Sequence, residues 1–238
     1  MNTPYAWQTT TARASGAVFD EGLRQHMLRV YNYMGIGLVV TGLVAFFVAS
    51  TPALYVPLFQ TPLKWVVMLA PLAFVFFFSF RMQTMTAATA QMTFWAFCAA
   101  MGLSLASVFL VFTGTSIART FFITATMFGA TSLYGYTTKR DLSRFGSFLI
   151  MGLIGIIIAS IVNIFLGSSA LQFAISIIGV LVFTGLTAYD TQNIKESYAE
   201  HFGHDTITKM AVMGALSLYL NFINLFQMLL QLTGQREE

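Results

Sequence analysis

Five stretches of this chain, residues 30–63, 82–118, 120–138, 145–189 and 210–235, contain no Asp, Glu, Lys or Arg. An ionised side chain at the middle of a bilayer costs at least ~2.5 kcal/mol. Long charge-free apolar runs are therefore what a membrane-spanning chain must have, and a soluble domain has no comparable reason to avoid charge. Only 9% of the 238 residues are charged and 57% are hydrophobic, against about 25% charged in an average soluble domain. The same balance excludes a disordered chain, which needs low hydrophobicity and high charge. The expectation is an all-α, multi-pass membrane protein.

A helix needs about 20 predominantly apolar residues to cross the hydrocarbon, and turn residues partition the runs. The first span covers about 31–50, ending at Ser50-Thr51-Pro52 before a loop that holds Pro57 and Pro62. The second is 65–80, with Lys64 and Arg81 placed to snorkel at its two ends. The third is about 88–112, stopped by Thr113-Gly114-Thr115-Ser116, and the fourth about 119–137. Gly167-Ser168-Ser169 divides the long 145–189 run into spans five and six, and 209–232 forms the seventh. Seven transmembrane helices thus occupy 31–232, with a cytoplasmic segment at 1–30 and a short tail at 233–238. Phe19, Leu23, Met27 and Val30 recur at helical spacing, the pattern of an amphipathic helix lying on the membrane face. A plain extension of the first span fits these residues equally well.

Orientation follows from where Lys and Arg flank the spans. With the N-terminus cytoplasmic, that side holds Arg13, Arg24, Arg29, Arg81, Lys139, Arg140, Arg144, Lys195 and Lys209, and the other holds Lys64, Arg119 and Arg236. The N-terminus is expected inside and the C-terminus outside. Residues 1–30 lack the apolar core of a cleavable signal peptide.

Polar side chains at bilayer depth carry the functional information, because they are expensive unless satisfied. In the seventh span Ser217, Asn221, Asn224, Gln227 and Gln231 are spaced 4, 3, 3 and 4 and fall on one helical face. Such a face must meet other helices or water, which makes this helix an inner element. Interhelical hydrogen bonding and a water-accessible lining both account for it. The sixth span adds Thr184, Thr187 and Thr191 on one face and beside them Asp190, a carboxylate bordering a long apolar run. An ionisable residue there is a functional candidate whose partner should be named. Arg81, at the same depth on the second span, is the cation expected to bridge it; an interface position for both residues, among water and headgroups, fits the spacing equally well. Desolvation and a neighbouring Arg pull the titration of Asp190 in opposite directions, so a pH-sensitive latch at the cytoplasmic side is one reading.

Several other chemistries are excluded. Ser104 in Gly102-Leu103-Ser104 has no His base inside the spans, since His26, His201 and His204 all lie outside the seven segments. Lys209 is too close to its helix end to carry a retinal Schiff base. Glu200, His201, His204 and Asp205 form a loop cluster better read as solvated than as a metal site. One cysteine, Cys98, rules out disulfides and cysteine-rich zinc sites and reads as a packing residue. Without a basic run, a net charge of +3 gives no footprint for nucleic acid. No enzyme activity and no cofactor are expected.

Ala188-Tyr189-Asp190-Thr191-Gln192-Asn193-Ile194-Lys195 resembles the acidic signature of the Bax inhibitor family, also called transmembrane Bax-inhibitor-motif or LifeGuard proteins. Ala215-Leu216-Ser217-Leu218-Tyr219-Leu220-Asn221-Phe222-Ile223-Asn224-Leu225-Phe226 resembles its last-helix signature, and Met27-Leu28-Arg29-Val30-Tyr31 with Thr41-Gly42-Leu43-Val44-Ala45 resembles the start of its bacterial members. The resemblance implies six helices around a central seventh, a bacterial inner membrane, and a passive, pH-regulated calcium leak. It also implies a proton-sharing pair of aspartates, one on each of the last two helices, and an Arg latch. Asp190 matches the first aspartate and Arg81 the end of the latch helix, but the second aspartate is Asn221 here. An amide beside Asp190 removes the carboxylate repulsion that makes such a pair sense pH. Weak calcium binding at Asp190 and Asn221 and a flattened pH response are expected, with Ser217, Asn224, Gln227 and Thr187 as pore-lining candidates. The alternative is a non-conducting regulator that binds membrane proteins such as quality-control proteases or stress and cell-death factors.

Overall fold

The computed structural model describes residues 5–82, 84–199 and 202–237, with side chains from residue 21 onward. Eight helices follow one another: α1 Tyr5–Ala49, α2 Pro52–Gln60, α3 Leu63–Arg81, α4 Ala87–Val111, α5 Gly114–Thr137, α6 Ser143–Leu166, α7 Ser169–Ser197 and α8 His204–Thr233. Extended pairing among the described residues is confined to one antiparallel bridge, Phe112 with Arg236.

The helix ends have local causes. Pro52 opens α2 and Pro62 precedes α3, positions where a missing N–H costs nothing. Thr86, Thr113 and Ser168 cap α4, α5 and α7 by accepting the N–H three residues on. Gly167 ends α6 with φ 60, the left-handed conformation that a side chain disfavours. The expected division at Gly167-Ser168-Ser169 is therefore a C-cap glycine joined to an N-cap serine.

Among the described residues, six helices are long and apolar enough to cross a membrane: Glu21–Ala49, α3, α4, α6, α7 and α8. The expected fourth span, 119–137, falls in α5, which is 24 residues long and so about 36 Å in length. Its threonines, glycines and Arg119 leave it without a stretch as apolar as those of the other six. The loop expected after residue 50 contains α2, a short helix without a buried residue.

Two features differ from the simplest reading of the sequence. The first concerns the N-terminal segment. No break separates an amphipathic helix from the first span, because α1 runs straight through residue 30. Leu23, Met27 and Val30 are buried with Met34 in the protein core rather than turned to the membrane face; the side chain of Phe19 lies outside those described. His26, expected outside the spans, is 2% exposed on the same stretch of helix.

The second concerns the ring around the last helix. Most of α8 is buried, but it packs chiefly on four helices, α1, α4, α5 and α7, not on six. The outer pair behaves differently, with α3 lying on α4 and α6 on α7. Both outer helices are apolar on all sides, and rows such as Phe76, Phe77 and Phe80 on α3 or Phe148, Met151 and Phe165 on α6 are exposed. Helices of that composition are covered by lipid as readily as by protein, so nothing draws them inward.

Candidate functional site

Helices α7 and α8 approach closely because small residues sit between them. A Cβ on Gly214 would press on Ile194 at 3.1 Å, and one on Gly179 would meet Met228 at 2.8 Å. At this seam Ser217 and Asn221, one helical turn apart on α8, both reach Asp190 on α7. Ser217 donates its hydroxyl to Asp190 Oδ2 at 2.5 Å, and Asn221 donates Nδ2 to the same oxygen at 2.7 Å. These are the lengths of charge-assisted bonds to a carboxylate. Among the described residues nothing donates to Oδ1.

Asp190 is half-buried and Asn221 fully buried. The carboxyl lines a cleft of ≈ 250 Å³ between the two helices, together with Asn193, Ser197, Met210, Met213 and Ser217. The site is thus a single carboxylate held through one oxygen by two donors of α8, in the wall of a cleft that Ser217 also lines.

The remaining sequence candidates are placed differently. Arg81 is exposed and forms no ion pair with Asp190; among the described residues the one salt bridge is Arg24 with Glu21 at 3.5 Å. The physical reason is packing, because α3 lies on α4 and has no substantial interface with α7. The expected Asp190–Arg81 latch is absent from this conformation. Thr187 is fully buried and donates to the Phe183 carbonyl of its own helix. Asn224 likewise donates to Leu220 O, and Gln227 is half-buried. Of the pore-lining candidates, Ser217 alone joins the carboxylate directly.

Two polar groupings went unnoticed in the sequence. Tyr31, Ser132 and Thr191 form a chain across α1, α5 and α7, at 2.6 Å and 3.0 Å. At the far end of α8, Gln231 accepts from Ser176 at 3.0 Å and from Gln172, which accepts from Asn163 at 3.1 Å. The signal that could have revealed both is polar side chains at matching depth on neighbouring helices.

No group of three His, Cys, Asp or Glu side chains close enough to hold a metal exists among the described residues. Calcium takes 6–8 oxygen ligands, so one carboxylate with an amide and a hydroxyl suits brief contact with a passing cation better than a resident ion. Of the loop cluster, Glu200 and His201 lie outside the described residues. His204 and Asp205 are exposed, and Asp205 accepts the Ala87 N–H at 3.4 Å.

Comparison with known proteins gives a consistent result. Residues 23–238 match the family model described as inhibitor of apoptosis-promoting Bax1. An uncharacterized protein of Caulobacter vibrioides is 49% identical, with the match covering 100% of this chain and 99% of that one. An uncharacterized protein of Rickettsia prowazekii is 48% identical over 97% of this chain and 98% of its own length. The inner membrane protein YbhL of Escherichia coli is 48% identical over 90% of this chain and 93% of its own.

Proposed function

Because this chain belongs to the Bax inhibitor family, and its long apolar helices make it a multi-pass inner-membrane protein, we propose that it is a pH-sensitive passive leak for calcium or other cations, gated at Asp190. In this reading α5 is a seventh crossing, the N-terminus is cytoplasmic and the C-terminus outside, which sets the Asp190 cleft towards the cytoplasm. The observation that carries the proposal is the asymmetry of the carboxylate. Oδ2 is held by Ser217 and Asn221 while Oδ1 has no donor among the described residues, and the residue lines an open cleft. A cation entering the cleft meets a negative oxygen already oriented by two fixed donors, the preorganisation that favours charge at a protein site. Protonation removes that charge and weakens both bonds across the α7–α8 seam, so pH acts on binding and on the seam together.

The neutral partner Asn221 favours a second reading, a non-conducting regulator that binds membrane proteins such as proteases, since a cation path usually presents more than one carboxylate. Calcium flux into dye-loaded proteoliposomes separates the two. Under the leak reading, wild-type protein carries flux, Asp190→Ala lowers it by an order of magnitude or more, and Arg81→Gln leaves it unchanged. Wild-type flux no greater than that of empty vesicles, or flux indifferent to Asp190→Ala, supports the regulator instead.

A further inference from the structure

A second feature of the bundle lies away from Asp190. α1 rests on α4 and α8, and α5 on α7 and α8, while α1 and α5 make no substantial interface with each other. Between them is a groove of ≈ 560 Å³ with walls from Met27, Leu28, Tyr31, Phe128, Leu133 and Tyr136. Leu28 and Leu133 are exposed along it, and a Cβ on Gly129 would meet nothing within 4 Å, so that glycine leaves a dent in the α5 wall. The Tyr31–Ser132 hydrogen bond of 2.6 Å ties the two walls together.

The wall from Phe128 to Tyr136 covers about 12 Å of helix, less than half of the ~30 Å hydrocarbon thickness. The groove therefore belongs to one leaflet. Of the charged groups near it, Arg24 lines the groove with Glu21 beside it on α1, and Lys195 on α7 touches the lining residue Tyr136 without lining the groove itself. The Arg24 side chain is 67% exposed, engaged only with Glu21 at 3.5 Å, a contact of negligible strength when solvated. Lys195 stands 5.2 Å over the Tyr136 ring and donates to the Tyr136 carbonyl at 2.8 Å.

We infer that this groove is a binding site for one anionic phospholipid, an acyl chain lying between α1 and α5 and the phosphate facing Arg24 and Lys195. The apolar walls match the tail, and the two cations match an acidic headgroup at the depth where headgroups begin. Neither a soluble anion, which has no use for the walls, nor a zwitterionic lipid, which gains little from the cations, fits both features.

Native mass spectrometry of the purified full chain, offered phosphatidylglycerol and phosphatidylcholine at equal concentration, tests this. A basic side chain at an anionic surface contributes roughly fivefold in affinity. Wild-type protein is expected to retain one phosphatidylglycerol with a preference of roughly 30-fold over phosphatidylcholine. Arg24→Gln, on an exposed side chain that leaves the fold intact, should cut that preference about fivefold. Gly129→Leu, which fills the dent, should reduce retention of both lipids. Equal retention of the two lipids by wild type, or retention unaffected by both substitutions, overturns the assignment. So does a dimer without bound lipid that Gly129→Leu disperses, because a second copy then covers the groove.

Discussion

Replacing Asp190 and Asn221 by alanine, singly and together, measures whether the α7–α8 seam is held by a charged or a neutral contact. Asn221 donates to Asp190 Oδ2 at 2.7 Å beside the Ser217 bond of 2.5 Å. A hydrogen bond to an ionised group contributes ~1.5–3 kcal/mol, whereas hydrogen bonds between membrane helices average only ~0.6 kcal/mol. The two values are far enough apart to decide the matter. With Asn221 buried and Asp190 half-buried, solvent screening is partial, so the coupling energy of the double-mutant cycle is expected between ~1.5 and 3 kcal/mol near neutral pH. That corresponds to roughly a ten- to hundred-fold change in the unfolding equilibrium. Equilibrium unfolding of the purified protein in mixed micelles, followed by tryptophan fluorescence, reads it. The Asp190→Asn single variant keeps an acceptor without the charge and should fall between wild type and Asp190→Ala. A coupling at or below ~0.6 kcal/mol would refute the charged seam and, with it, the poised carboxylate.

Two further outcomes are expected. Gly135 and Gly129 both lie on α5, but a Cβ on Gly135 would collide with the Ala188 carbonyl while one on Gly129 meets open space. Gly135→Ala should cost ~1–3 kcal/mol and Gly129→Ala should be neutral or stabilising by up to ~1 kcal/mol; thermal unfolding of equal losses would contradict this geometry. In the α5–α6 turn, the Ser143 hydroxyl and its N–H, the latter at 2.8 Å, hold the Asp141 carboxyl below its usual value. A lowered folded value means that the stabilisation is present above the ordinary carboxyl range and is lost as pH falls through the lowered value. Asp141→Asn should flatten that acid limb of the unfolding curve, and an unaltered limb would speak against the cap.

Much of the architecture was legible because bilayer depth and charge exclusion act on the sequence one residue at a time. The Gly167-Ser168-Ser169 turn and the end of α4 could be placed within a few residues from turn chemistry alone, whereas α7 runs past the charge-free stretch to Ser197. The contact of Asp190 with Asn221 is implied only by the family resemblance, and the polar periodicity of the last span by itself pairs neither Ser217 nor Asn221 with Asp190. What failed depended on neighbours distant in sequence. Arg81 and Asp190 have the same expected depth, but depth says nothing of azimuth, and α3 turns out to lie across α4, away from α7. The continuity of α1 was one of two open readings for a different reason. Leu23, Met27 and Val30 have the same spacing whether they face lipid headgroups or Met34 and α8, and only packing distinguishes the two. α5 shows the opposite limit, a helix with the length of a span and too many hydroxyls for hydropathy to announce it.

The polar face of α8 also has a spatial logic that periodicity alone does not reveal. Its two ends are tied to α7 at points fourteen residues apart, Asp190 with Ser217 and Asn221 at one, Ser176 with Gln231 at the other. Along the helix that is about 21 Å. Between them Val182, Phe183, Leu186 and Leu225 belong to one buried apolar cluster, and the Thr184 hydroxyl is buried there without a partner. A bare ion crossing this layer would forfeit its hydration with nothing to replace it. If the protein conducts, the layer must open, and the contacts that resist opening are the polar ties at its two ends. Conduction would then depend on how firmly Gln231 keeps its end of the seam shut as well as on the charge that Asp190 offers a cation at the other. Weakening Gln231, far from the carboxylate, should therefore raise flux, whereas substitutions at the Asp190 end change closure and cation binding together.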